Sequence, residues 1–112
     1  MASATVLGFA YDSPVTEFPL RQGPGTTFDR TDFKATKGTA NLIILDVQPD
    51  SQNTTSDFGR VYQWFKLQFP DGKTGWMRGH VVGIVGDMTQ WGYGNVAAVT
   101  HAYTLTRSEV PA

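Results

Sequence analysis

The run RVYQWFKLQF, residues 60–69, alternates apolar and polar-tipped side chains and is followed at once by Pro70-Asp71-Gly72-Lys73. No other feature restricts the fold of this chain as much. A period of two belongs to a strand with one buried face. Asp-Gly supplies the left-handed backbone that hairpin turns require, so Asp71 and Gly72 mark a structural turn. With Pro70, Asp71 and Gly72 as a three-residue loop, Phe65 pairs with Met77 and Trp64 lies opposite Arg78. Phe65, Leu67, Phe69 and Met77 then share one face, which must be the core. Tyr62, Trp64, Lys66, Trp76 and Arg78 share the other, and three aromatics beside two cations are an unusual surface to leave in water.

The rest of the chain keeps the same period. Twelve glycines and six prolines interrupt it at the spacing expected of a small β-barrel or sandwich. Strands are expected over residues 5–11, 17–21 and 33–35. The continuous apolar run NLIILDV, residues 41–47, reads as a buried strand. Residues 48–59, QPDSQNTTSDFG, form a polar loop of turn formers. TGWMRG and HVVGIVG then complete a barrel near Val85. With no helical stripe anywhere, the expected class is all-β.

At 112 residues the chain is expected to form one domain that buries about two thirds of its unfolded surface. Its 40% hydrophobic and 17% charged residues are those of a globular protein. A net charge of -1 supplies no basic field, which argues against nucleic acid as a partner. The absence of cysteine removes disulfides, thiolate metal sites and a cysteine nucleophile. The first residues, MASATVLGFAYDSP, contain neither the basic region nor the apolar run of a signal peptide. No segment approaches the roughly 20 apolar residues of a membrane-spanning helix, so no membrane insertion is expected. On this reading the chain is intracellular, or is the mature piece or an excerpt of an exported protein.

The segments FPLRQGPGTTF, KGT, LIILDV and QWFKLQFPDGKTGWM, in that order, resemble the bacterial SH3-like (Src-homology-3-like) domains. That family's pattern is an apolar-Arg-Ser-Gly-Pro turn, a Lys-Gly-Thr turn, a Trp-aromatic-Lys-apolar strand, an Asp-Gly turn and a Gly-Trp-Val strand. The likeness covers about residues 5–85. It implies a small, partly open barrel over residues 1–86; residues 87–112 lie outside the likeness as a C-terminal extension, whose own alternation is expected to add a strand. It also implies a non-catalytic module of the cell envelope or extracellular space that binds wall peptides or glycans, or serves as a spacer. Gly23, Pro24 and Gly25 correspond to the family's fixed turn, in which proline sets one torsion and glycine tolerates positive φ. Two departures touch the side where a ligand would sit: Pro19 stands where the family has asparagine, and the loop between Val47 and Arg60 is longer.

These readings converge on a ligand surface of Tyr62, Trp64 and Trp76, with polar contacts from Arg21, Lys66 and Arg78. The alternative is that the same face is covered by the rest of the chain. A cover is at hand in the tail, where Val99, His101, Tyr103 and Leu105 alternate with Thr100, Ala102, Thr104 and Thr106. Such a strand can cap its own barrel or add to a neighbouring subunit's sheet.

Other motifs carry less. GYGNVA, residues 92–97, matches a dinucleotide fingerprint only formally, since neither the strand nor the helix that it needs is present. His80 and His101 have no acidic cluster nearby in sequence, so no metal site is expected. Asp46 is the nearest thing to a catalytic carboxylate, and a turn-facing or salt-bridged role is simpler. Asn53-Thr54-Thr55 fits a glycosylation pattern but reads as plain polar loop. The sequence offers no catalytic or cofactor motif, and the resemblance implies a non-enzymatic module that binds wall peptide or glycan. Its alternative is a structural subunit whose aromatic face and tail strand contact other proteins.

Overall fold

The computed structural model describes residues 2–55 and 59–108. Ser56, Asp57 and Phe58 of the polar loop and the last four residues of the tail lie outside the described residues. Eight strands run in chain order: β1 (Ser3–Val6), β2 (Glu17–Arg21), β3 (Arg30–Thr36), β4 (Ile43–Pro49), β5 (Gln63–Gln68), β6 (Thr74–Arg78), β7 (Val82–Asp87) and β8 (Asn95–His101). Single 3-10 turns lie at Thr89–Trp91 and Ala102–Thr104.

The strands form two antiparallel sheets, one of five strands in the order β3-β2-β6-β5-β4 and one of three in the order β1-β7-β8. A bridge between Ala4 and Leu42 links them, but among the described residues the ladders do not close into a barrel. One core serves both sheets. It takes Ala4, Val6, Val82 and Ile84 from the small sheet, and Leu20, Val47, Phe65, Leu67 and Met77 from the large one. Buried β-branched and aromatic side chains at alternate positions are what hold two such sheets face to face.

The hairpin of β5 and β6 has the register that its turn dictates. Phe65 pairs with Met77, Trp64 with Arg78 and Lys66 with Trp76. Gly72 takes φ 86°, and its N–H donates to the Phe69 carbonyl.

Three expectations need correction. The first strand ends at Val6 rather than running to Tyr11, because Gly8 turns the chain at φ 78°. The N–H groups of Leu7 and Gly8 both donate to the Val81 carbonyl instead of continuing a ladder. The apolar run 41–47 is not a buried strand. Asn41 at φ 59° delays its start, β4 ends the five-stranded sheet, and Ile43 and Leu45 are 55% and 39% exposed. The long strand expected over residues 60–69 is shorter, with Val61 only bridged to Thr55.

β8 lies along β7 of the same chain, with Gly83 opposite His101 and Gly86 opposite Val96. Its alternation does not continue to Leu105, because the backbone turns at Ala102–Thr104. Ala102 is 2% exposed, whereas Val99, from the other set of alternating positions, is 47% exposed. No helix among the described residues is long and apolar enough to cross a membrane.

Candidate functional site

The aromatic face is assembled as the hairpin register requires, but it is not an open platform. Trp64 is 4% exposed and Trp76 8%, while Tyr62, Lys66 and Arg78 are half-buried. The expectation of aromatic planes standing in solvent is therefore corrected for both tryptophans. What closes over Trp64 is the loop after β4. The Trp64 indole N–H donates to Asp50 Oδ1 at 2.7 Å. Asp50 Oδ2 accepts the backbone N–H groups of Gln52 and Thr54 at 3.1 and 3.2 Å. Burial pushes the Asp50 carboxyl up, but these hydrogen bonds outweigh it and hold the group below the usual aspartate range.

Sequence reasoning missed Asp50. Its signal was an aspartate opening a run of turn formers, a type that bonds its own backbone two residues on.

The same loop meets the glycine–proline turn. Ser51 donates its backbone N–H to the Pro24 carbonyl at 2.8 Å. The turn owes its glycines to space rather than to torsion, since neither Gly23 nor Gly25 has positive φ. A Cβ on Gly23 would enter the Phe28 ring, and one on Gly25 would strike the Ser51 hydroxyl.

Arg78 crosses this ground. Its guanidinium lies 4.1 Å from the Tyr62 ring centroid and 5.2 Å from that of Trp64. Its Nε is buried and has no hydrogen-bond partner among the described residues. Beside it a groove of about 210 Å³ is walled by Arg21, Trp64, Arg78 and His80, with Phe9 and Phe18 supplying the apolar floor. Arg21 is held toward it by a bond from its guanidinium to the Phe28 carbonyl at 3.0 Å. Lys66 and Trp76, in register with each other, do not line this groove.

A second, more enclosed cavity of about 170 Å³ adjoins it, sharing His80. Tyr62 and Gln63 form one wall, and Tyr103, Leu105 and Arg107 of the tail form the other. The Tyr103 ring stacks on His80 at 4.5 Å, and Tyr62 meets His80 edge-on at 5.2 Å. Arg107 pins the tail, donating from Nε to the Trp91 carbonyl at 2.6 Å and from a terminal nitrogen to Gln63 Oε1 at 3.1 Å. Of the tail positions singled out by alternation, Tyr103 and Leu105 thus reach this cavity. His101 instead sits 2.8 Å from the Gly8 carbonyl, which can only accept, so its Nε2 carries the proton. Val99 faces solvent.

Asp46 makes local bonds, accepting from the Val47 N–H and the Gln48 amide. Among the described residues no group of three or more His, Cys, Asp or Glu gathers as a metal site would require. The chemistry on offer is cationic and aromatic: planar guanidinium groups set against rings, suited to holding a ligand.

Comparison of the chain with protein-family models, with curated proteins and with solved structures found no match.

Proposed function

We propose that this chain is a non-catalytic binding module of the SH3-like kind that recognises peptide or glycan of a bacterial cell wall. The observation that carries the reading is the placement of Arg78 over Tyr62 and Trp64, beside a groove that Arg21 and His80 also wall. A cation backed by two rings is fixed in direction before a ligand arrives, which lowers the ordering cost of binding. The ligand would lie along the groove rather than stack on the tryptophans, with Arg21 and Arg78 as its polar contacts. Lys66 and Trp76 would support the sheet beneath.

The test is sedimentation with purified bacterial wall material. The wild-type chain is expected to pellet with the wall, and Arg78→Ala to remain largely in the supernatant while keeping its fold. A wild-type chain that stays in solution would overturn the proposal.

A second reading, a structural subunit of a larger assembly, draws on a different observation. β4 ends its sheet and leaves Ile43 and Leu45 exposed, and β8 ends the other sheet with Val99 exposed. Apolar strand edges of this kind invite another chain to pair. Light scattering over a concentration series separates the two, since a subunit gains mass with concentration and a wall binder stays monomeric.

A further inference from the structure

Charge on this molecule is balanced overall, but among the described residues it is not balanced locally. Nine Lys and Arg face ten Asp and Glu, yet four of the five arginines (Arg21, Arg60, Arg78 and Arg107) line the two adjoining depressions. No described Asp or Glu lines either one, and neither does any lysine. Asp50, bonded to the Trp64 that walls one depression, is buried and saturated by Trp64, Gln52 and Thr54. Arg21 and Arg107 donate to neutral acceptors, and Arg78 makes only ring contacts, so none of the three has a carboxylate partner among the described residues. Half-buried guanidinium groups without counter-charges are costly, and an incoming anion removes that cost.

We infer that the ligand is an acidic peptide lying across both depressions, its carboxylates taken by the arginines on either side of His80. This deepens the reading of the surface as a ligand site and rests on it. The planar fork of arginine matches a carboxylate with two parallel hydrogen bonds, whereas lysine offers only a point charge. An all-arginine lining therefore favours discrete carboxylates. A phosphodiester chain would instead call for an extended basic field, and the lysines lie elsewhere on a chain of net charge -1. The rings of Tyr62 and Tyr103 give the apolar parts of a peptide surfaces to rest against.

The experiment is an NMR titration of the full chain with a synthetic hexapeptide of alternating alanine and glutamate, and with its alanine–glutamine counterpart. The glutamate peptide is expected to move the Trp64 indole N–H signal at one depression and the Tyr103 ring signals at the other. The glutamine peptide is expected to bind about a hundredfold more weakly, the loss of one charge-assisted pair at each depression. Arg78→Gln should weaken the glutamate peptide about tenfold, the loss of a single pair, while leaving the indole signal in its folded position. Equal binding of the two peptides, shifts confined to one depression, or tighter binding of a thymidine oligonucleotide would each overturn the inference. Sedimentation with wall material separates this failure from that of the function. A chain that pellets but ignores the glutamate peptide keeps the wall reading and loses this one. A chain that binds the peptide but does not pellet does the reverse.

Discussion

Trp64 and Asp50, fourteen positions apart, are joined by a 2.7 Å hydrogen bond that closes a polar loop over the aromatic face of the sheet. Asp50 is 3% exposed and Trp64 4%, so the bond is made out of water and its partners have no solvent to fall back on. Replacing Asp50 with alanine strands the buried indole N–H and takes the acceptor from the backbone N–H groups of Gln52 and Thr54. A loss of about 3 kcal/mol in urea unfolding is expected, as for the removal of a buried charged acceptor.

The same residue fixes an acid response. The Asp50 carboxyl is held below its ordinary value of 3.8, so the folded state binds the proton more weakly than the unfolded chain does. Its contribution is therefore complete above that value and is lost as pH falls through the depressed one. The stability difference between wild type and Asp50→Ala should stay constant from neutral pH to about 5 and narrow below 4. A difference that does not change down to the acid unfolding point would sink this account.

Gly23 and Phe28 form a second coupled pair. A methyl at Gly23 meets the Phe28 ring, and overpacking of this kind costs about 1–3 kcal/mol. Gly23→Ala should therefore destabilise the chain, and should do so much less in a Phe28→Ala background. At Gly38 the space is open and the backbone has φ 97°, so there the cost comes from torsion and no neighbour can relieve it. A double-mutant cycle showing no coupling between positions 23 and 28 would remove the steric explanation.

The tail should prove necessary for folding. β8 covers one edge of β7, and Met88, Val96 and Ala102 are all buried in the common core. A chain cut after Gly86 loses these side chains and the Arg107 bonds to Trp91 and Gln63. It also bares an apolar strand edge. Circular dichroism and light scattering should find it unfolded or aggregated where the intact chain is folded. A cooperatively folded, monomeric truncation would show the tail to be dispensable.

How far the sequence reached follows from the range of the interactions involved. The β5–β6 hairpin was legible because its turn and its alternation are local, and together they leave one register. β4 was misread because an apolar run looks the same on an edge as in a centre. Only the strand order, a long-range fact, leaves Ile43 and Leu45 at the margin. Trp64 and Arg78 were correctly placed on one face, but whether that face met water depended on Asp50 folding back from another loop. The glycines around Pro24 were right for a turn and wrong in reason, since the ring of Phe28 that crowds Gly23 cannot be seen from the spacing. Arg107 and its cavity lay in the segment outside any family likeness, where pattern reading had only alternation to use.

Tyr93 offers a test with the opposite sign. Its ring stacks on Phe65 at 5.8 Å, and its hydroxyl is buried without a hydrogen-bond partner among the described residues. Burial pushes the phenol's ionisation well above its ordinary range, with the nearby Arg107 charge pulling weakly the other way. A buried hydroxyl that makes no bond has lost its water and gained nothing in exchange. Tyr93→Phe keeps the ring and removes that cost, so it should stabilise the chain by about 1 kcal/mol. The gain should appear in urea unfolding as a higher midpoint with an unchanged slope. A loss of stability instead would mean that the hydroxyl is bonded in solution, and that the packing around Phe65, Tyr93 and Arg107 differs from the arrangement described.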